Sequence, residues 1–435
     1  MSIRIIYSNF KANADSGAIK ELMARDASWG THVEILEAAK STCGQESHIR
    51  WQKTQPQITN LKAGRPEDDY FSLTFADSNF DLNTESIDHF VATVAGDIVL
   101  NPMIKNLEVR DFEFTDATPY ESFPGPNVGV DGLYTDFLPT LNRISRPILA
   151  FTLKPRFGMT IHEISQLYQA AASAGIDIIE DDERLVDPPN CRFIDRVKIL
   201  SKIQKDYQTV YSVNITSDSQ SALEKLDYCA EHGIKMVKID VLVCGFETLR
   251  KVANRIKDKY SSKIAITVYP DAYGAYRRLS REFILRLSRL CGADIIYAGS
   301  PNWARYESER GKFSDTIEPI YQRHRLLADR IEMAEQIKPT LGTITNDQHP
   351  SRAEMITVYF RKHKDGHHKY AFFVGGGISG FPADIATASK EWMSCLTYAS
   401  QQDLDDYNSY DLSKYDTSLS KIGWDRLNVK EGLNA

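Results

Sequence analysis

The sequence predicts an α/β protein: an N-terminal ferredoxin-like α+β domain followed by a C-terminal (β/α)8 TIM barrel. Three observations carry this. Eight apolar strand-like runs recur between residues 148 and 374, at roughly 25- to 40-residue intervals, most followed by a helical pattern. The stretch PILAFTLKPRFGMTIHEISQLYQAAASAGIDIIEDDE at 147–183 reads as strand, helix, strand, with a cation ending the first strand and acids ending the second. The first 115 or so residues have a different texture, with short alternating strands and isolated helices.

Residues 3–7 form the first strand candidate. A helix over 16–28 follows, with Ser16 as its cap and Ile19, Leu22 and Met23 as its apolar stripe. The run 32–36 reads as a strand. Residues 70–76 alternate apolar and polar and read as a half-buried strand, 84–94 as a helix, and 109–115 as a further strand. This β-α-β-β-α-β order is ferredoxin-like. A Pro- and Gly-rich segment, 116–127, reads as a linker. The barrel strands are expected at 148–153, 176–182, 210–215, 236–242, 264–269, 294–298, 337–341 and 371–374, with helices at 217–232, 246–259, 281–291 and 383–398. The expected division is 1–125 for the N-terminal domain, 126–400 for the barrel, and 401–435 for a surface or partly disordered tail.

Bulk composition narrows the class. The chain of 435 residues carries a net charge of −7, with basic residues dispersed among acids, so neither nucleic acid nor an anionic membrane is an expected partner. No uninterrupted apolar window approaches the ~18 residues of a membrane span, and the N-terminus lacks a signal-peptide core. Six cysteines without a CxxC spacing read as reduced thiols of a cytoplasmic protein.

In a barrel the chemistry gathers at the carboxyl ends of the strands. Glu180 and Asp182 are two apart on one strand and share a face, and Glu183 follows at the rim. Three such oxygens suit a hard cation, Mg²⁺, while the alternative is a solvated acidic loop. Lys154, beside them, is a candidate base or an ion-pair partner of Asp182 or Glu183. Gly375, Gly376 and Gly377, after strand eight and before a helix, suit a phosphate or a plain turn; Thr343, at the end of strand seven, belongs to the same phosphate region. Asp240 ends strand four. Asp271 and Tyr273 sit near the mouth of strand five, as acid-base groups or hydrogen-bond partners. His367 and His368 read as solvated.

These motifs resemble the RuBisCO large-chain family. FTLKPRFGM and GIDIIEDDE are similar to its TIKPKxGL and GxDFxKDDE. FVGGGISGFP is similar to FGGGxxGHP, the segment 123–129 to FxGPxxG, and AAKSTCG at 38–44 to AAESSTG. The resemblance implies a homodimer whose active sites combine the barrel of one subunit with the N-domain of the other. It implies Mg²⁺ on Glu180, Asp182 and Glu183, proton handling by Lys154, and catalytic positions at Arg156 and Lys40. It also exposes departures. The family's carbamylated, metal-binding lysine falls on Glu180. Its strand-five His-Arg pair falls on Tyr269 and Pro270, its strand-six His on Tyr297, and its N-domain Glu and Asn on Lys40 and Asp97. The resemblance therefore implies a RuBisCO-like protein that is not a carboxylase. Its expected activity is metal-assisted enolisation of a monophosphorylated keto-sugar or sugar acid, leading to isomerisation or decarboxylation. The alternative is a non-catalytic dimer with a binding or regulatory role.

Overall fold

The computed structural model describes residues 2–8, 11–12, 16–29, 33–61, 70–76, 79–100, 104–105, 107–138, 146–301, 313–345, 349–362, 369–380 and 384–401. The tail beyond 401, His367 and His368 lie outside the described residues.

Four strands, Ser2–Ser8, Gln57–Leu61, Tyr70–Ala76 and Glu108–Phe114, build an antiparallel sheet. Their spatial order is second, third, first, fourth, the ferredoxin-like order. One expected strand is in the wrong place. The run at 32–36 belongs instead to the helix Val33–Cys43, His32 itself lying outside the described residues, and the second strand is Gln57–Leu61. Five alternating residues cannot separate strand from helix, and the Glu-Ala-Ala-Lys that follows decides for helix. The segment read as a linker is packed rather than loose. Tyr120 and Phe123 are buried, and the Gly125 amide donates to the Leu290 carbonyl.

The barrel closes. Ile148–Thr152, Ile178–Glu180, Val210–Asn214, Met236–Asp240, Ala265–Tyr269, Ile295–Gly299, Leu341–Ile344 and Ala371–Val374 pair in parallel, and the last bonds back to the first. Strand seven starts four residues later than expected. Pro339 cannot donate to a ladder, and the carbonyls of Ile337 and Lys338 accept from the Arg289 guanidinium instead. The barrel interior below the mouth is filled by Ile148, Ala150, Ile178, Val210, Met236, Ala265, Ile295, Leu341, Ala371 and Phe373. Several helices carry side-chain caps. Thr160 and Glu163 form a reciprocal capping box before Ile161–Ser173, and Ser280 caps Arg281–Cys291.

The N-terminal sheet is fastened to the barrel's outer helices. The Phe283 ring meets Phe112 edge-on with centroids 5.2 Å apart, and Arg286 makes a bidentate pair with Asp111 at 2.7 and 2.9 Å. Phe283 is fully buried in this junction. Phe283→Ala should therefore cost about 3–5 kcal/mol, read as a drop in the denaturant midpoint; a loss below about 1 kcal/mol would mean the junction does not hold the domains together.

Candidate functional site

The carboxyl ends of strands one, two, four and five converge on a compact charged cluster. Alternation along strand two turns Glu180 into the barrel with Ile178, and Asp181 outward. Outside, Asp181 is buried against Arg196 Nε at 3.0 Å and the Tyr211 hydroxyl at 2.7 Å, and it accepts the Asn214 amide at 3.0 Å. The Asn214 side chain donates to the carbonyls of Asp182 and Glu183 at 3.1 and 2.8 Å. These bonds hold the backbone that presents the two further acids.

Each acid of the cluster faces a cation. Glu180 Oε1 accepts from Thr152 Oγ1 and from Lys238 Nζ, both at 2.8 Å. Asp182 is in direct contact with the Lys154 ammonium, and Arg156 Nε stands 3.7 Å away. Glu183 lies 3.6 Å from Arg156, 3.8 Å from Arg184 and 4.0 Å from Lys238. Arg184 reaches on to Asp271 at 2.8 Å. Glu180 Oε2 is buried with no hydrogen-bond partner. Burial pushes the Glu180 carboxyl above its ordinary range, with Lys238 pulling against it. Burial alone would lower Lys238, but Glu180 and Glu183 outweigh it and hold the ammonium protonated.

Lys238 is the residue that inspection of strand ends passes over. It stands in the middle of strand four, two residues before Asp240, and it is 1% exposed. The signal was available: a lysine inside the run MVKID shares inward parity with Met236 and Asp240.

The glycines after strand eight adjoin this cluster. A Cβ on Gly375 would meet Lys154 Cε at 2.7 Å, so glycine is what lets that lysine lie across the turn. A Cβ on Gly376 would meet nothing within 4 Å. Gly376–Ser379 form one helical turn, whose first amides have no intrahelical acceptor. Thr343 is buried on strand seven, in register with Tyr297 and Ala371. On strands five and six, Tyr269 and Tyr297 stack with centroids 5.2 Å apart, and the Arg281 guanidinium lies 5.0 Å from the Tyr297 ring and 4.2 Å from Tyr273. Lys40 is elsewhere. It stands on the helix Val33–Cys43, 3.6 Å from Glu37, and no bond among the described residues joins it to the acids.

The residues present do not fit the expected Mg²⁺. Among the described residues no three Asp, Glu, His or Cys side chains are arranged to share one ion. Glu180 offers one unpartnered oxygen, but Asp182 and Glu183 are turned to Lys154, Arg156 and Arg184. Among the described residues, Glu180, Asp182, Glu183 and Asp271 meet Lys154, Arg156, Arg184 and Lys238, so these eight charges balance without a metal.

The fold and this motif set have clear counterparts. The profile of the ribulose bisphosphate carboxylase large chain, catalytic domain, matches residues 135–416. The chain belongs to the RuBisCO large-chain family. It is 25% identical to a ribulose bisphosphate carboxylase of Archaeoglobus fulgidus over 319 residues, 69% of this chain and 68% of that protein. A ribulose bisphosphate carboxylase-like protein of the same organism is 32% identical over 223 residues, 48% of each. A 2,3-diketo-5-methylthiopentyl-1-phosphate enolase of Bacillus velezensis is 25% identical over 272 residues, 59% of this chain and 64% of that one. Among solved structures, the octameric Rubisco of Pyrococcus horikoshii superposes with TM-score 0.76 at 20% identity, covering 100% of this chain and 94% of that one.

Asp240 gives this RuBisCO-family mouth a pH signature. Burial raises its carboxyl from 3.8 to about 7, while the Asp271 amide, 3.2 Å away, pulls the other way. The folded chain thus keeps this proton where the unfolded chain has lost it, and the group favours folding increasingly as pH falls from about 7 to about 4. Asp240→Asn should be more stable than wild type at pH 8 by denaturant titration, with the gap closing by about pH 4; a pH-independent gap would contradict the assignment.

Proposed function

We propose that this RuBisCO-like chain enolises a monophosphorylated keto-sugar or sugar acid and does not fix CO₂. The observation that carries the reading is the adjacency of Lys154 and Gly375. A candidate proton-transfer amine lies directly against the turn best suited to a phosphate. The phosphate would rest on the amides of Gly375, Gly376 and Gly377, with Thr343 beside them. That seat puts the carbon next to the substrate carbonyl at Lys154. In its unprotonated form Lys154 takes a proton from that carbon, and the electron pair moves onto the carbonyl oxygen. Arg156, at the rim, offsets the charge of the resulting enediolate. Returning the proton to the former carbonyl carbon, while the hydroxyl of the donor carbon hands its proton to the oxyanion and becomes the new carbonyl, completes an isomerisation; protonation on oxygen instead leaves the enol tautomer, and with a β-carboxylate present, loss of CO₂ leads to the same enediolate.

The stacked Tyr269 and Tyr297 support a substrate whose far end carries no second phosphate. The Bacillus velezensis relative, by its name, is an enolase of a 1-phosphate, in line with this chemistry. We also infer a cytoplasmic homodimer. All six cysteines are free thiols, no helix of the described residues is long and apolar enough to cross a membrane, and no bond among the described residues joins Lys40 to the acid cluster of its own barrel. Lys40 would complete the mouth of the partner barrel. The neutralised acid cluster favours one other reading, a non-catalytic dimer that kept the fold.

Deuterium exchange separates the two. Monophosphorylated ketoses and 3-oxo sugar-acid phosphates are incubated in D₂O and read by NMR. The enolase reading expects uptake at one carbon, reduced at least about 10²-fold in Lys154→Met. Gly376→Ala should keep the wild-type melting temperature, since its Cβ meets nothing, yet raise KM about tenfold. No uptake across the panel would favour the non-catalytic dimer.

A further inference from the structure

We infer that Lys238 is a built-in substitute for a divalent metal ion, and that the native site excludes such an ion. Its role in a reaction rests on the enolisation reading; its role in excluding metal does not.

Lys238 Nζ stands 2.8 Å from Glu180 Oε1, 3.0 Å from the Asp181 carbonyl oxygen and 4.0 Å from Glu183 Oε2, and 5.4 Å from the centre of the Tyr269 ring. It therefore points into a pocket made of a carboxylate, a carbonyl, a second carboxylate and a π face. Each of these attracts a cation, and the Lys238 side chain, 1% exposed, occupies that position.

An ion ligating Glu180 would sit about 2.1 Å from a carboxylate oxygen. Its distance from the ammonium would then be at most about 7 Å, in a dry interior where like charges are weakly screened. The acids that could offset the repulsion are already engaged, Asp182 by Lys154, and Glu183 by Arg156 and Arg184. The ammonium also explains how Glu180 can remain a carboxylate in the barrel interior, where an unpaired one would protonate. Lys238 is thus a positioning residue. It holds Glu180 and offsets Glu183 from below, so that Lys154 and Arg156 face the mouth around a neutral cluster.

The test is Mn²⁺ titration followed by electron paramagnetic resonance, on the full chain at neutral pH, with no substrate required. Wild type should bind no stoichiometric Mn²⁺ up to about 1 mM. Lys238→Met, which frees Glu180 and Glu183, should bind one Mn²⁺ per chain at least about tenfold more tightly than wild type, and adding Glu180→Gln should abolish that site. Lys238→Gln keeps a hydrogen-bond donor near Glu180 without the charge, and serves the same purpose if the Met variant does not fold. One Mn²⁺ per wild-type chain, lost in Glu180→Gln, would overturn the inference. So would an absence of binding in both the wild type and the Lys238 variants, because the ammonium would then not be what keeps the ion out. Failure of the deuterium-exchange screen would leave these results standing.

Discussion

The ion pair between Lys238 and Glu180 is the constraint on which the site turns. Both groups are almost fully buried, and removing two charges from water costs several kcal/mol for each. Apolar residues of the same volume would fill that layer at equal or lower cost. A pair kept under those terms calls for a reason beyond stability. The hypothesis here is that it presets the charge of the mouth: Glu180 is held ionised, Glu183 is partly offset, and Asp182 is left to Lys154. The Mn²⁺ titration addresses that hypothesis, because a purely structural pair would leave no latent metal site behind when Lys238 is removed.

The surrounding fold maintains this arrangement in layers. Asp181 and Arg196 pin the outer side of strand two, and Asn214 ties down the backbone of Asp182 and Glu183, so the acids hang from a fixed support. Lys154 is kept low by the missing side chain at Gly375, which couples strand one to the turn after strand eight. At the far side the stacked Tyr269 and Tyr297 present an aromatic wall, with the Arg281 guanidinium against Tyr297. The outcome is an asymmetric mouth, with an anion seat at one end and an aromatic surface at the other.

Much of this was legible in the sequence. The eightfold rhythm and the inward acids of strand two follow from apolar periodicity and side-chain alternation, both of which survive in a single chain. What escaped were features set by tertiary contacts. The run at 32–36 is too short for its alternation to outweigh the helix formers after it. Strand seven was misplaced because the buried Ile337 looks like strand, although Pro339 beside it cannot enter a ladder. Lys238 escaped because its side chain reaches the acids from mid-strand rather than from a strand end. The pairing of Lys154 with Asp182 was one of two compatible roles open to that lysine, base and ion-pair partner, and the geometry shows the pair.

The most direct measurement is a high-resolution crystal structure of the wild-type protein grown in tens of millimolar MgCl₂. The account expects Lys238 Nζ to remain within hydrogen-bonding distance of Glu180, with Asp182 still on Lys154 and no octahedral density between the acids. An ion coordinated at about 2.1 Å by Glu180, Asp182 and Glu183, with Lys238 displaced, would contradict it.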